Sequence, residues 1–194
     1  MKIVHLRIPG VALVVPRQIG DKRGYFSEIF REDFFEDACG KWNFVQDNES
    51  FSESRGTLRG LHFQSEPHTQ GKLVRCTAGA LYDVAVDIRR GSPFYGQWIS
   101  QILTAKNGKQ LWLPPGFAHG FCSLEPETVI SYKVTSYYTP ECERGLAWDD
   151  PVVGIDWPDI TNTNSLSDRD RAQPNFIDLP EYFPWERTPP CASL

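Results

Sequence analysis

The sequence predicts an all-β protein, a sandwich or barrel of short strands with a few short helices. Three observations predict it: apolar runs of strand length, turn chemistry between them, and scarce helical periodicity. The clearest run is Leu81–Ile88, where Tyr82, Val84, Val86 and Ile88 alternate with Leu81, Asp83, Ala85 and Asp87. A period of two marks a strand, because successive side chains leave opposite faces. Leu58–Gln64, Lys72–Thr77, Trp98–Leu103, Leu111–Leu113 and Val129–Thr135 are further runs of this kind. Gly71, Gly79, Gly91-Ser92-Pro93, Asn107-Gly108 and Pro114-Pro115-Gly116 separate them. Such residues supply the backbone angles that tight turns need. One short helix is expected over Arg31–Cys39. From about Pro151 the pattern loosens and Pro recurs, at Pro158, Pro174, Pro180, Pro184, Pro189 and Pro190. Residues 151–194 therefore read as a segment wrapping a single domain of residues 1–194.

Composition bounds the function. With 194 residues, 40% of them apolar and 23% charged, the chain suits one soluble domain with its own core. No apolar run approaches the roughly 18 residues of a membrane span. Lys2, His5, Arg7 and Pro9 interrupt the N-terminal apolar stretch, so no signal peptide is expected. A net charge of −5 argues against a nucleic-acid partner. The five cysteines are odd in number and lack CxxC spacing. They read as reduced thiols of a cytoplasmic protein, not as a disulfide framework or a zinc site. Charge is uneven along the chain. Arg55–Arg75 holds four basic residues and one acid, whereas Glu141 to the C-terminus holds eleven acids and four arginines. The basic stretch suggests an anionic ligand, although pairing with the acidic C-terminal region is the simpler account of charge alone.

Two segments stand out together. One is Arg59-Gly60-Leu61-His62-Phe63-Gln64 with Gln70-Gly71-Lys72-Leu73-Val74; the other is Leu113-Pro114-Pro115-Gly116-Phe117-Ala118-His119-Gly120-Phe121. The second resembles the PxGxxH half of the bipartite cupin pattern. Metal-binding cupins carry HxH in the first half, and their His and carboxylate ligands hold a divalent ion. Here His62-Phe63-Gln64 replaces one His by an amide, and Lys72 brings a cation nearby. A cation beside a divalent metal is electrostatically unfavourable. A cupin-type jelly roll without a metal or other cofactor is therefore expected.

The resemblance then becomes specific. The chain resembles the dTDP-4-dehydrorhamnose 3,5-epimerase family. The matching stretches include Gly24–Glu28, Phe44–Asn48, Gly56–Gln64, Gln70–Val74, Asp83–Arg89, Pro114–Phe121, Tyr132–Tyr138, Trp148–Pro151, Ile155–Pro158 and Leu166–Asp170. The resemblance implies a metal-free cupin double-stranded β-helix and a homodimer built by exchanging N-terminal strands. It also implies a reaction. The substrate would be a dTDP-linked 6-deoxyhexose with a ketone at C4, which acidifies the C–H bonds at C3 and C5. A base removes the proton, an enolate forms, and an acid reprotonates the other face. His62 matches the family base and Asp170 the carboxylate that orients it, with Asp168 as a stand-in. Lys72 matches the cation at the O4 oxyanion, and Tyr132 the opposed acid. Arg23, Glu28, Gln46, Asp47, Asn48, Arg59, His119, Tyr138, Glu143 and Arg169 match positions that bind the nucleotide and diphosphate. Phe26 is the expected stacking partner for thymine. Arg169 stands where the family usually has Lys, which keeps the charge and changes the reach. The alternatives are an epimerase acting at C3 or C5 alone, a non-catalytic nucleotide-sugar-binding jelly roll, and a metal-dependent cupin.

Overall fold

The computed structural model describes residues 1–185; the rest of the expected wrapping segment, with Pro189, Pro190 and Cys191, lies outside the described residues. Strands β1 (Lys2–His5) and β2 (Ala12–Val15) pair, and β3 (Gln18–Asp21) and β4 (Gly24–Ser27) form a separate hairpin. Helix α1 (Glu32–Cys39) follows, then β5 (Gln46–Ser52), β6 (Leu58–Gln64), β7 (Lys72–Ala78) and β8 (Ala80–Asp87). Next come β9 (Arg89–Arg90), β10 (Trp98–Thr104), β11 (Gln110–Leu113), β12 (Phe117–Ser123) and β13 (Thr128–Val134). Strand β14 (Glu143–Gly145), helix α2 (Asp168–Arg171) and β15 (Phe183–Pro184) complete the order.

Two antiparallel sheets carry the fold. One runs β1-β2-β11-β7-β13-β5 and the other β10-β8-β12-β6-β14. They face one another across a core of Val74, Leu81, Ala85, Leu103, Leu111, Phe117, Phe121 and Ile130. This is an all-β sandwich, as the alternating runs predict, and its two antiparallel sheets suit the jelly roll that the resemblance implies. The run Leu58–Gln64 is observed unchanged, and the others differ by a residue or two at their ends.

Strand β8 explains why its sequence is apolar on both faces. Leu81 and Ala85 point between the sheets, while Val84 and Val86 point outward under the C-terminal segment. Phe176, Leu179 and Phe183 of that segment pack on Leu61, Phe63, Val84 and Val86. Each such buried side chain is worth roughly 1.5–3 kcal/mol, so a few anchors hold a segment that makes little strand pairing of its own. The other sheet is covered by α1. Phe35 lies edge-on to Trp112 with ring centroids 5.1 Å apart, and Phe44 packs against both. Glu32 and Asp33 favour the helix start electrostatically, and Gly40, at φ 85°, ends it.

Candidate active site

The strand period decides which side chains meet between the sheets. On β6, Leu61 and Phe63 face outward, so His62 faces inward. On β12, Phe117 and Phe121 are interior, and His119 shares their side. His62 and His119 are register partners across the two strands. Lys72 and Tyr132 come from the opposite sheet, on β7 and β13, where Tyr132 packs against the interior core. A cavity opens between these two sets of residues. One lobe, of about 270 Å³, is lined by Ser50, Arg59, His62, Lys72, His119, Tyr132, Ser165, Ser167 and Asp170. A second, of about 240 Å³, is lined by Gln46, Asn48, His62, Gln64, Gln70, Lys72, Tyr132, Tyr138 and Glu143. His62, Lys72 and Tyr132 line both lobes.

Close glycine contacts bring the two histidine strands together. A Cβ on Gly60 would stand 2.6 Å from the Gly120 Cα and 2.7 Å from the His119 carbonyl oxygen. Gly60 also has φ +110°, which L side chains rarely adopt. The histidine pair therefore depends on two residues that have no side chain.

The C-terminal segment completes the site. Asp170 lies on α2, and its Oδ1 stands 2.6 Å from His62 Nε2. Both atoms are shielded from solvent, and the angle falls short of a full hydrogen bond. The Ser167 hydroxyl donates to Asp170 Oδ2 at 2.8 Å within a capping box. Burial pushes the Asp170 carboxyl upward, but contacts with His62 and Ser167 outweigh it and hold the carboxyl below its ordinary value. Asp168, the stand-in considered from sequence, is exposed.

The Lys72 side chain keeps some exposure to the cavity, yet its ammonium is enclosed by protein. Burial lowers its pKa to about 8, against the pull of Glu143 and Asp83. Burial also raises the Tyr132 phenol, helped by Glu143 and opposed by Arg59, so the hydroxyl stays protonated near neutrality. Arg169 and Glu143 form an ion pair of 2.6 Å, and the Tyr138 hydroxyl donates to the same carboxylate. Gln64 is committed to structure. Its amide nitrogen donates to the carbonyls of His68 and Tyr137, and its oxygen accepts from Thr139 N–H. Among the described residues, Arg55, Arg59, Lys72 and Arg75 make no ion pair with the acidic C-terminal stretch. The simpler account of the charge pattern is thereby corrected, and Arg59 and Lys72 face the cavity instead.

Four expected binding residues are not brought to the cavity within this chain, and a fifth, Arg169, meets it only through its pair with Glu143. Asp47 lies between Gln46 and Asn48 on β5, so the strand period turns it to the other face, where Lys133 Nζ is 3.0 Å away. Arg23 and Phe26 sit on the exposed β3–β4 hairpin, and Glu28 is exposed just beyond it. Arg23 pairs with Asp21 at 2.6 Å, and Phe26 is 70% exposed. Tyr138, half exposed, is an aromatic ring that does line the cavity. Sequence reasoning also passed over cavity-lining residues. Ser167 was legible as the start of a Ser-x-x-Asp capping pattern; behind the wall, Asp83 was legible as a buried acid between apolar Leu81 and Ala85. Ser50 and Ser165 carried no such signal.

A family model described as dTDP-4-dehydrorhamnose 3,5-epimerase matches residues 5–178. The chain belongs to the dTDP-4-dehydrorhamnose 3,5-epimerase family. It is thus an isomerase by family. A dTDP-4-dehydrorhamnose 3,5-epimerase of Sinorhizobium fredii is 58% identical over 183 residues, 94% of this chain and 93% of the relative. A solved dTDP-6-deoxy-D-glucose-3,5-epimerase of Legionella pneumophila, in complex with dTDP-4-keto-L-rhamnose, superimposes with a TM-score of 0.89. It is 42% identical and covers 96% of this chain and 99% of its own. A 3'-monoepimerase of Streptomyces bikiniensis, solved with dTDP-quinovose, is 36% identical with a TM-score of 0.83, covering 89% of this chain and 86% of its own. The epimerase family therefore shares this jelly roll across enzymes named for two epimerisations and for one. Among the described residues no helix is long and apolar enough to cross a membrane.

Proposed function

We propose that the cavity binds a dTDP-linked 4-keto-6-deoxyhexose and inverts C3 and C5 by proton transfer, giving dTDP-4-dehydro-L-rhamnose. The observation that carries this is the placement of His62 and Tyr132 on opposing sheets around one cavity, with Lys72 lining both of its lobes. Inversion needs a base on one face of the ring and an acid on the other, and a single wall cannot supply both. His62 takes the proton, and Asp170 orients its ring and stabilises the imidazolium that forms. The electron pair left on carbon moves onto O4, where the Lys72 ammonium meets the developing oxyanion. Tyr132 delivers a proton to the opposite face. Gln46, Asn48 and Tyr138 offer hydrogen bonds and a ring face to the nucleotide, with Arg169 nearby. Arg59 and His119 close the other lobe. The step needs no metal, and the engaged amide of Gln64 and the ammonium of Lys72 make a poor metal shell.

We further infer a homodimer in the cytoplasm. Ile19, Tyr25, Phe26 and Ile29 form an exposed apolar group on and beside the β3–β4 hairpin, and among the described residues β5 has a free edge. A second copy meeting these surfaces would bring Arg23, Phe26 and Glu28 to its partner's cavity. Phe26→Asp should then give monomers in sedimentation and weaken substrate binding.

Proton NMR of the 4-keto sugar nucleotide with enzyme in deuterated water tests the chemistry. Label entering at both C3 and C5, with inversion at both, is expected. Label at one carbon only would assign the single-site reaction, which the likeness to a monoepimerase keeps as the second reading. Binding without exchange would defeat both.

A further inference from the structure

Asp83 is fully buried, and its place on the interior row of β8 is shared with Leu81 and Ala85. An ionised carboxylate is costly there unless it is compensated. Asp87, four residues along the same row, shows how this fold satisfies a structural carboxylate. Its Oδ1 accepts from Arg89 N–H and Nε, and its Oδ2 from Arg89 Nη2 and the Ser92 hydroxyl. Asp83 is treated differently. Its Oδ1 meets His119 Nε2 at 2.7 Å, and its Oδ2 has no partner among the described residues. Its one close partner is therefore a residue of the cavity wall.

The second relation is electrostatic. The acids whose charge favours the ammonium form of Lys72 are Glu143 and Asp83. Glu143 is already engaged by Arg169 and Tyr138. The other titratable or charged groups around the cavity are His62 and Arg59 from β6, Tyr132 from β13, His119 from β12 and Asp170 from α2. None of these is an acid free to balance Lys72, because Asp170 is held by His62 and Ser167.

We propose that Asp83 is a positioning residue of the oxyanion end of the site: it fixes the His119 ring and keeps Lys72 in the charged form the enolate needs. This rests on the epimerase reading above. Asp83 lines neither lobe of the cavity; it acts through His119 and Lys72. With Asp83 ionised, the Asp83–His119 contact requires a proton on His119 Nε2.

The test is Asp83→Asn, which keeps size and an accepting oxygen and removes only charge. Deuterium wash-in at C3 and C5 is measured from pH 6 to 9 beside wild type, with kcat and KM separated. The expected result is a kcat/KM deficit of about fivefold near pH 8, approaching tenfold at pH 9, for each unit by which the Lys72 pKa falls. The deficit should shrink toward pH 6, with KM little changed. A deficit independent of pH, or none, overturns the role, since a merely structural carboxylate would not track the ionisation of Lys72. If the variant fails to fold, nitrogen-15 NMR of the wild-type protein decides. Protonated Nε2 on His119 between pH 6 and 8 supports the assignment, and a bare Nε2 overturns it. Wild-type enzyme that exchanges neither carbon would defeat the epimerase reading itself, an outcome distinct from these.

Discussion

Lys72 makes the rate of enolisation depend on pH in a direction the structure dictates. Its folded pKa lies at about 8, below its ordinary value, because burial penalises the ammonium. The charged form needed at O4 is therefore lost as pH rises through 8. The ammonium fraction is about 90% at pH 7, half at pH 8 and about 10% at pH 9. In the free enzyme, kcat/KM for deuterium wash-in should fall about tenfold per pH unit above 8. In the complex, the anionic diphosphate adds negative charge and moves the limb of kcat to higher pH. Tyr132 does not interfere, since its phenol is raised above 10. The stability consequence has the opposite sign. A lysine whose folded pKa is depressed is strained while charged, so the empty enzyme gains stability as pH rises from 8 toward 10.5. The assay follows exchange from pH 6 to 9.5 by NMR, with background exchange subtracted. Lys72→Arg, which stays charged, should remove the limb near 8, whereas Lys72→Met should lose about 10²–10³ in kcat. A flat profile through pH 9.5, or an unchanged limb in Lys72→Arg, would refute the assignment of Lys72 to the oxyanion.

The remaining expectations concern single side chains. His62→Asn should stop exchange at both carbons, and Asp170→Asn should slow it strongly while dTDP binding measured by calorimetry stays close to wild type. The Asp170 carboxyl is held below its ordinary value, so the stability it contributes is present above roughly pH 4 and lost as pH falls through its folded pKa; acid titration of Asp170→Asn should lack that component. Tyr132→Phe should still admit deuterium but return it to the original face, so exchange at C3 and C5 continues while inversion falls; equal loss of both at both carbons counts against a dedicated acid. Exhaustive chelation should leave activity intact, and restoration by an added divalent ion after a loss would reverse the metal-free reading. Gly60→Ala should cost about 1–3 kcal/mol in chemical denaturation, because its Cβ meets the Gly120 Cα at 2.6 Å and pushes the two histidine strands apart.

The sequence by itself determined the strands that periodicity could mark, and the pairing of an interior His with a distant PxGxxH segment. Leu58–Gln64 and Leu81–Ile88 were legible because alternate apolar residues record which side of a strand is buried. β3 and β4 were not, because nothing among the described residues covers them and no burial pattern is written there. β5 escaped for a related reason: its inward row carries Gln46, Asn48 and Ser50 toward a cavity and not toward a core. At the site, motifs named His62, Lys72, Tyr132 and Asp170, but only the tertiary structure placed His62 and Tyr132 on opposing sheets. The same holds for Asp47, which a motif groups with Gln46 and Asn48 and the strand period turns to the other face. Distance along the chain does not record such relations. Asp170 lies over a hundred residues from His62 and reaches it through packing of the C-terminal segment, with the Ser165 hydroxyl accepting from Leu58 N–H at 3.0 Å. Asp83 is the sharpest case: an acid between Leu81 and Ala85 reads as a flaw in the pattern until the fold sets His119 against it and Lys72 within reach of its charge.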